Sequence, residues 1–167
     1  VLLIADIING ELSLDQTSKA LTGAKMLGEV TILCASKNTS EAANKLSKLE
    51  GVKEVIVADD DSFQRGLAEP LSILIKNISE TYTHIVAAST AQSKNILPRV
   101  AALLDVMIIT DVTKIINNDT FERPIYAGNA IETVRSIDKI KVITLRTTSF
   151  ELSSTTGNCK ISNVEKF

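Results

Sequence analysis

Short apolar segments alternate with amphipathic ones along the first two thirds of the chain, and this alternation restricts the fold more than any other feature. The apolar segments are rich in Val and Ile, as expected of strands covered on both faces. They are Val1–Asp6, Val30–Ala35, Glu54–Ala58 and His84–Ala88. The segments between them have apolar residues at helical spacing, which predicts helices at Leu14–Leu27, Ser40–Leu49, Pro70–Ser79 and Asn95–Leu104. Strand–helix–strand repeats of this kind predict a parallel sheet with right-handed crossovers.

The last third has a different pattern, because its strand candidates follow one another without helices between them. They are Val112–Asn117, Thr120–Ala127, Ala130–Ser136 and Lys141–Arg146. Turn residues separate them, which is typical of antiparallel neighbours. The sequence therefore predicts an α/β fold, with a doubly wound, mostly parallel sheet, flanking helices and an antiparallel meander in the C-terminal third.

The length of 167 residues suits one compact domain, which we expect to occupy residues 1–152. Residues 153–158 are polar and small, as in a flexible linker. Residues 160–167 are compatible with one more edge strand or with the start of a connection to a further domain.

Composition excludes several classes of function. The net charge is −2 with Lys and Arg spread along the chain, and Trp is absent, so a nucleic-acid partner is not expected. No apolar run is long enough to cross a bilayer. The two cysteines, Cys34 and Cys159, form no C-x-x-C pair, and together with the absence of a secretion signal they suggest a reducing compartment.

The loop after the fourth predicted strand is the better of two candidates for a nucleotide site. The chain has neither a G-x-G-x-x-G nor a P-loop motif. Doubly wound sheets nevertheless bind ligands at the carboxyl ends of their strands, where this loop would face Asp6. Its small hydroxyl residues and lysine suit an anion at a helix N-terminus: Ser89, Thr90, Ser93 and Lys94. Helix capping by Ser93 or Asn95, with solvated neighbours, is the favoured alternative interpretation.

Other polar residues carry weaker signals. The run Asp59-Asp60-Asp61 could hold a hard cation, but it has no matching distant ligands, so stabilisation of a helix start is favoured. His84 is the only histidine and has no evident acid or nucleophile partner, which favours a structural role. No acid–base or nucleophilic chemistry is predicted. Arg99 and Arg123 lie beside apolar elements and suit either surface ion pairs or an interface.

Three segments together resemble the N-terminal domain of electron transfer flavoprotein alpha subunits. They are the runs from Lys94 to Leu104, from Asp119 to Ala130 and from Leu145 to Phe150. The run Arg-Pro-Ile-Tyr-Ala-Gly-Asn-Ala in the second segment is the most specific, and it adds Tyr126 and Asn129 to the interface candidates. The chain departs from the family at Asp6, where Glu is usual, and at Ser93, where Gly is common.

The resemblance implies an adenine nucleotide alpha hydrolase-like fold and a division of labour between domains. In this family FAD is held mainly by a C-terminal domain of the alpha subunit, which would lie beyond Phe167. The beta subunit binds a structural AMP, and the alpha N-terminal domain is a scaffold without a nucleotide or metal of its own. The resemblance therefore implies a heterodimer subunit and an electron carrier, not an enzyme by itself.

The same resemblance implies the role and location of the complete protein. It would carry electrons from acyl-CoA dehydrogenases and related dehydrogenases of fatty acid β-oxidation to a quinone oxidoreductase. It would do so in the cytoplasm of a bacterium or in the mitochondrial matrix, without membrane insertion.

Two other functions stay open from the residues alone. One is a stand-alone adenine-nucleotide-binding domain that uses the loop from Ser89 to Asn95, facing Asp6. The other is a metal-dependent hydrolase that uses Asp59, Asp60 and Asp61.

Overall fold

The predicted alternation of strands and helices is confirmed by the computed structural model, which describes residues 1–164. The strands are β1 Leu2–Ile4, β2 Ile7–Ile8, β3 Glu11–Leu12, β4 Val30–Ser36, β5 Val52–Asp59, β6 His84–Ala88, β7 Ile108–Val112, β8 Lys114–Ile115, β9 Thr120–Ile125, β10 Ala130–Arg135, β11 Lys141–Leu145 and β12 Lys160–Asn163. The α-helices are α1 Leu14–Lys25, α2 Ser40–Ser47, α3 Ala68–Ile78 and α4 Ala91–Leu104.

Seven strands form one parallel sheet in the order β12-β5-β4-β1-β6-β11-β7. The chain moves outward from β1 to β4 and β5, and then returns to place β6 on the other side of β1. This reversal creates a topological switch point between the carboxyl ends of β1 and β6. The doubly wound fold class is therefore confirmed.

The strands of the last third are divided between two sheets, which corrects part of the predicted meander. Strands β8, β9 and β10 form a small antiparallel sheet, as expected. Strand β11 instead lies inside the parallel sheet, between β6 and β7. Four of its five residues are buried, because hydrophobic residues pack against both faces of the sheet at this strand. The sequence also failed to predict β7, which begins before the expected Val112–Asn117 strand and ends at its first residue.

Each face of the parallel sheet has its own hydrophobic core. Helices α1 and α2 contribute to one core, and α3 and α4 contribute to the other. The small sheet takes the place of a third helix on the first face, where Phe121 of β9 and Ile115 of β8 are buried with Val112 and Leu145. The small sheet and α4 therefore lie on opposite sides of the parallel sheet.

Helix α4 begins four residues earlier than the sequence predicts. The prediction of Asn95 as the start would have placed Pro98 in the first turn, where no backbone donor is needed. The helix actually begins at Ala91 and continues through Pro98 to Leu104. Thr90 and Ser93 form a reciprocal capping box, which stabilises the earlier start. Pro98 then removes one hydrogen bond from the helix interior.

The polar segment that follows residue 152 is attached to the domain by hydrogen bonds. The amide of buried Ser153 donates to Ser18 Oγ at 2.9 Å, and its hydroxyl donates to the Glu50 carbonyl at 3.1 Å. Further on, Lys160–Asn163 pairs with β5 in parallel at the edge of the sheet. The end of the predicted 160–167 strand, at residues 165–167, lies outside the described residues. Among residues 1–164 no helix is both long enough and apolar enough to cross a membrane.

Candidate functional site at the topological switch point

Asp6 and Thr90 meet across the switch point, where a ligand of a doubly wound fold is expected. Asp6 follows β1 and is only 7% exposed. Thr90 follows β6, and its hydroxyl donates to Asp6 Oδ1 at 2.8 Å. Burial raises the pKa of Asp6, and the hydrogen bond from Thr90 opposes that rise. The predicted juxtaposition of this loop with Asp6 is therefore present, but the two sides bind each other.

Ser93 is used for capping the helix and for holding the end of β6. Its hydroxyl lies within 3.1 Å of the Thr90 amide and also donates to the Ala88 carbonyl. The Ser93 amide in turn donates to Thr90 Oγ1 at 3.3 Å. The N-terminal amides that could have bound a phosphate are thus partly occupied by the chain itself.

The remaining two residues of the loop bind residues of β11 and β7, the next two strands of the sheet. Ser89 Oγ donates to Thr144 Oγ1 of β11 at 2.8 Å. Lys94 Nζ lies 3.0 Å from Asp111 Oδ1, so its charge is neutralised within the domain. Burial alone would raise the pKa of Asp111, but the hydrogen bond and the positive charge of Lys94 hold it below its usual value.

Little space is left beside Asp6. The cavity here has a volume of about 20 Å³ and is lined by Leu71, Gln92 and Ile96, among others. Gln92 reaches across the switch point, and its Nε2 donates to the Ile7 carbonyl at 2.7 Å. Such a cavity holds one water molecule, far less than an adenine or flavin ring.

The three consecutive aspartates, Asp59, Asp60 and Asp61, bind different partners and do not converge on one point. Asp59 accepts hydrogen bonds from the Asn38 and Thr39 amides at 3.0 and 2.8 Å, at the start of α2, and these bonds lower its pKa. Asp60 accepts from the Ser62 amide at 2.8 Å, and Asp61 lies 2.9 Å from Lys37. Within residues 1–164 no group of three His, Cys, Asp or Glu residues is arranged to hold a metal ion. The geometry agrees with the favoured interpretation at two positions: Asp59 stabilises the start of α2, before the cluster, and Asp60 caps the short 3-10 helix Asp61–Phe63.

Comparison with known proteins decides the family. The sequence model of the electron transfer flavoprotein domain matches residues 2–166. The chain is 48% identical over 162 residues to an electron transfer flavoprotein subunit alpha of Paracoccus denitrificans, covering 97% of this chain and 53% of the relative. It is 40% identical over 157 residues to the subunit alpha of Pseudomonas aeruginosa, covering 94% and 51%. A mitochondrial subunit alpha of Arabidopsis thaliana is 43% identical over 166 residues, covering 94% and 46%.

The chain belongs to the electron transfer flavoprotein family. The resemblance based on three sequence segments is thereby confirmed. The chain spans about half the length of the curated relatives it matches. The names of these relatives describe flavoproteins that transfer electrons. Two of the relatives are bacterial and the third is named as mitochondrial.

Three of the four interface candidates lie together on the β9–β10 hairpin of this electron transfer flavoprotein domain. Arg123 Nε is 2.7 Å from Glu132 Oε2 on the neighbouring strand. Tyr126 and Asn129 form the turn, where the Asn129 amide donates to the Tyr126 carbonyl at 3.1 Å. Arg99 is separate from them, because it lies on α4 and its Nε donates to Ser72 Oγ of α3 at 3.0 Å. The four residues therefore do not form one surface.

The hairpin turn exposes apolar side chains on a strained backbone. Tyr126 is 79% exposed and Ile131, which sequence reasoning missed, is 61% exposed. Tyr126, Ala127 and Gly128 have positive φ values of 49°, 54° and 92°, a conformation that only glycine adopts freely. Strained backbone of this kind is concentrated at binding and functional sites. The available signal was the period of two along β10, which places Ile131 on the same exposed face as Thr133 and Arg135.

His84 and Cys34 have structural environments. His84 is only 3% exposed, and burial lowers its pKa. Cys34 is buried in β4, where desolvation raises the pKa of its thiol to about 12, so it is not a reactive thiolate.

Proposed function

We propose that this chain is the scaffold and subunit-docking domain of an electron transfer flavoprotein alpha subunit. The observation that carries the proposal is the closed switch point of a chain that belongs to a flavoprotein family. All four residues of the loop that could have bound a nucleotide have partners within the domain. The 20 Å³ cavity beside them does not fit FAD or AMP.

The flavin is then held by protein outside this chain. Since the chain covers about half of its relatives, the other half of the alpha subunit offers room for an FAD-binding domain. A flavin supplies the redox chemistry, and the protein binds and orients it. In the whole protein, electrons would pass from acyl-CoA dehydrogenases and related dehydrogenases to a quinone oxidoreductase, in the bacterial cytoplasm or the mitochondrial matrix. The AMP is expected in the beta subunit.

The β9–β10 hairpin supports the docking part of the proposal. A relative named subunit alpha implies a second kind of subunit. Exposed aromatic and aliphatic side chains are typical anchors of such interfaces, and the hairpin presents Tyr126 and Ile131. The ion pair between Arg123 and Glu132 holds the two strands of the hairpin in register beside these anchors.

Ligand titration tests the absence of a nucleotide site in this domain. Thermal melting of the chain is measured with increasing FAD, AMP or ATP, because a ligand that binds only the folded state raises the melting temperature by mass action. We expect no specific shift from any of the three. A rise that saturates at micromolar AMP or ATP would instead establish a stand-alone nucleotide-binding domain.

Co-purification with the cognate beta subunit tests docking. We expect the chain to be retained by a tagged beta subunit, and Tyr126→Ala to weaken the complex about tenfold, as loss of an aromatic anchor does. Ile73→Ser is the matched control, because Ile73 is 51% exposed on α3, on the opposite side of the parallel sheet from the hairpin. Equal binding by wild type and Tyr126→Ala would exclude this hairpin as the anchor, and failure of the wild type to bind would refute docking itself.

A further inference from the structure

A second cleft lies at the opposite edge of the parallel sheet, at the amino ends of β6 and β11. Its volume is about 820 Å³, compared with about 20 Å³ at the switch point. The turn between β8 and β9 and the turn between β10 and β11 form its walls. We call it the amino-edge cleft, and the side chains that define it are His84, Asn118, Asp119, Arg135, Lys139 and Lys141.

The charge of the amino-edge cleft is opposite to that of the chain as a whole. Arg135, Lys139 and Lys141 are cationic, and Asp119 is the one carboxylate among the described lining residues, so positive charges exceed negative ones by two (3 − 1). The whole chain has a net charge of −2. Three cations gathered around one cleft repel one another, and an anion between them relieves that repulsion.

His84 adds no charge at neutral pH. Its Nε2 lies 2.7 Å from the Asn118 carbonyl, which can only accept, so this nitrogen bears the proton. Its Nδ1 lies 2.8 Å from Thr83 Oγ1 and accepts from that hydroxyl. The neutral ring is thus fully bonded, and it fixes the turn that contains Asn118 and Asp119.

The cations of the cleft keep donors free for a ligand. Lys139 has no carboxylate within 4 Å in residues 1–164, whereas Lys53 and Lys114 each contact a glutamate. Lys141 Nζ donates at 2.8 Å to the Asp138 carbonyl, which is uncharged. Arg135 uses Nε to bind Asp119 Oδ2 at 2.9 Å, which leaves the terminal nitrogens of its guanidinium group for a second acceptor.

We propose that the amino-edge cleft binds a small polyanion, a molecule with two or more phosphate or carboxylate charges in close proximity. Two lysines and a guanidinium group on two adjacent segments match such a charge distribution. Recognition is by charge, because the described lining residues include no Phe, Tyr or Trp on which a base could stack. The site shares no lining residue with the cavity at the switch point.

Isothermal titration of the full chain with inorganic pyrophosphate and with citrate tests the proposal. At low ionic strength we expect one saturable site for at least one of the two anions, with acetate, a single carboxylate, giving none. The double substitution Lys139→Gln and Lys141→Gln should raise the dissociation constant about tenfold or more. Lys76→Gln is the matched control, because Lys76 is an exposed lysine of α3 that is not in any ion pair of the described residues.

The two anions distinguish the possible sources of the charge. Tighter binding of pyrophosphate identifies a phosphorylated ligand, and tighter binding of citrate identifies a polycarboxylate. NMR shifts of the His84 ring and the Asn118 amide on titration locate the anion, and thermal melting confirms that the glutamine variants are folded. Absence of saturable binding by both anions, or equal binding by wild type and the double variant, would overturn the proposal.

Discussion

The two ends of strand β6 differ in how much space they leave and in whether the charged side chains there have partners. At the carboxyl end, Thr90 and Ser93 satisfy Asp6, the Ala88 carbonyl and the helix amides, and little space is left. At the amino end, His84 is fully bonded, but Lys139 beside it has no carboxylate partner in residues 1–164 and the cleft is open. The fold places ligand sites at the carboxyl end as a rule, yet the cavity beside Asp6 is about 20 Å³ while the amino-edge cleft is about 820 Å³.

This difference teaches that a fold fixes the position of a possible site, while side-chain bonding decides whether the site is available. Ser89 and Lys94 are residue types that suit a phosphate. They are unavailable because Thr144 and Asp111, which are distant in sequence, occupy them. The comparison of the two ends can be tested by removing single polar groups from each.

Thr90→Val should have the largest effect on stability. The substitution removes the cap of α4 and leaves the buried carboxylate of Asp6 without its donor, so we expect a loss of about 2–3 kcal/mol in the free energy of unfolding. Urea denaturation measures it. Thr133→Val is the matched control, because Thr133 is exposed on β10, and its effect should be within about 0.5 kcal/mol. Similar losses for both variants would show that the carboxyl end is not held by this contact.

Sequence reasoning predicted local features well where a single segment contains the whole signal. Strands β4, β5 and β6 follow from apolar runs within those segments. Helix α2 begins at the predicted Ser40, but its cap was not a local signal, because Asp59 of β5 accepts the hydrogen bonds at its start. The place of β11 in the parallel sheet was wrongly predicted, because it depends on pairing with β6 and β7, which are distant in sequence. The closed switch point could not be predicted from the sequence either, because the partners of its residues lie in other segments. Asp111, which pairs with Lys94, is seventeen positions further along the chain. Asp111 itself has φ of 56° in a strand whose register shifts.

His84→Gln should change how stability depends on pH at the amino end. The pKa of His84 is lowered in the folded state, chiefly by burial, so the unfolded chain binds a proton more readily than the folded one. Stability therefore falls as pH drops through about 6.5, with a slope of at most about 1.4 kcal/mol per pH unit. Glutamine does not titrate, so the slope between pH 7.5 and 5.5 should disappear in the variant. Parallel curves for wild type and variant would mean that His84 binds its proton equally well in the folded and unfolded states.

Asp6→Asn, at the carboxyl end of the sheet, should have the smallest effect on stability. The contribution of Asp6 to stability should depend on pH with the opposite sign to that of His84. Because burial raises the pKa of Asp6, the folded state binds its proton more tightly than the unfolded chain does. The wild type therefore loses stability as pH rises from about 3.8 through the folded-state pKa. Asparagine has no charge to desolvate and can still accept from Thr90, so we expect a gain below about 1 kcal/mol at pH 7 that shrinks in acid. Urea denaturation at pH 7 and pH 4 measures it, and a variant that is destabilised most at pH 7 would show that the charge of Asp6 is favourable at the switch point.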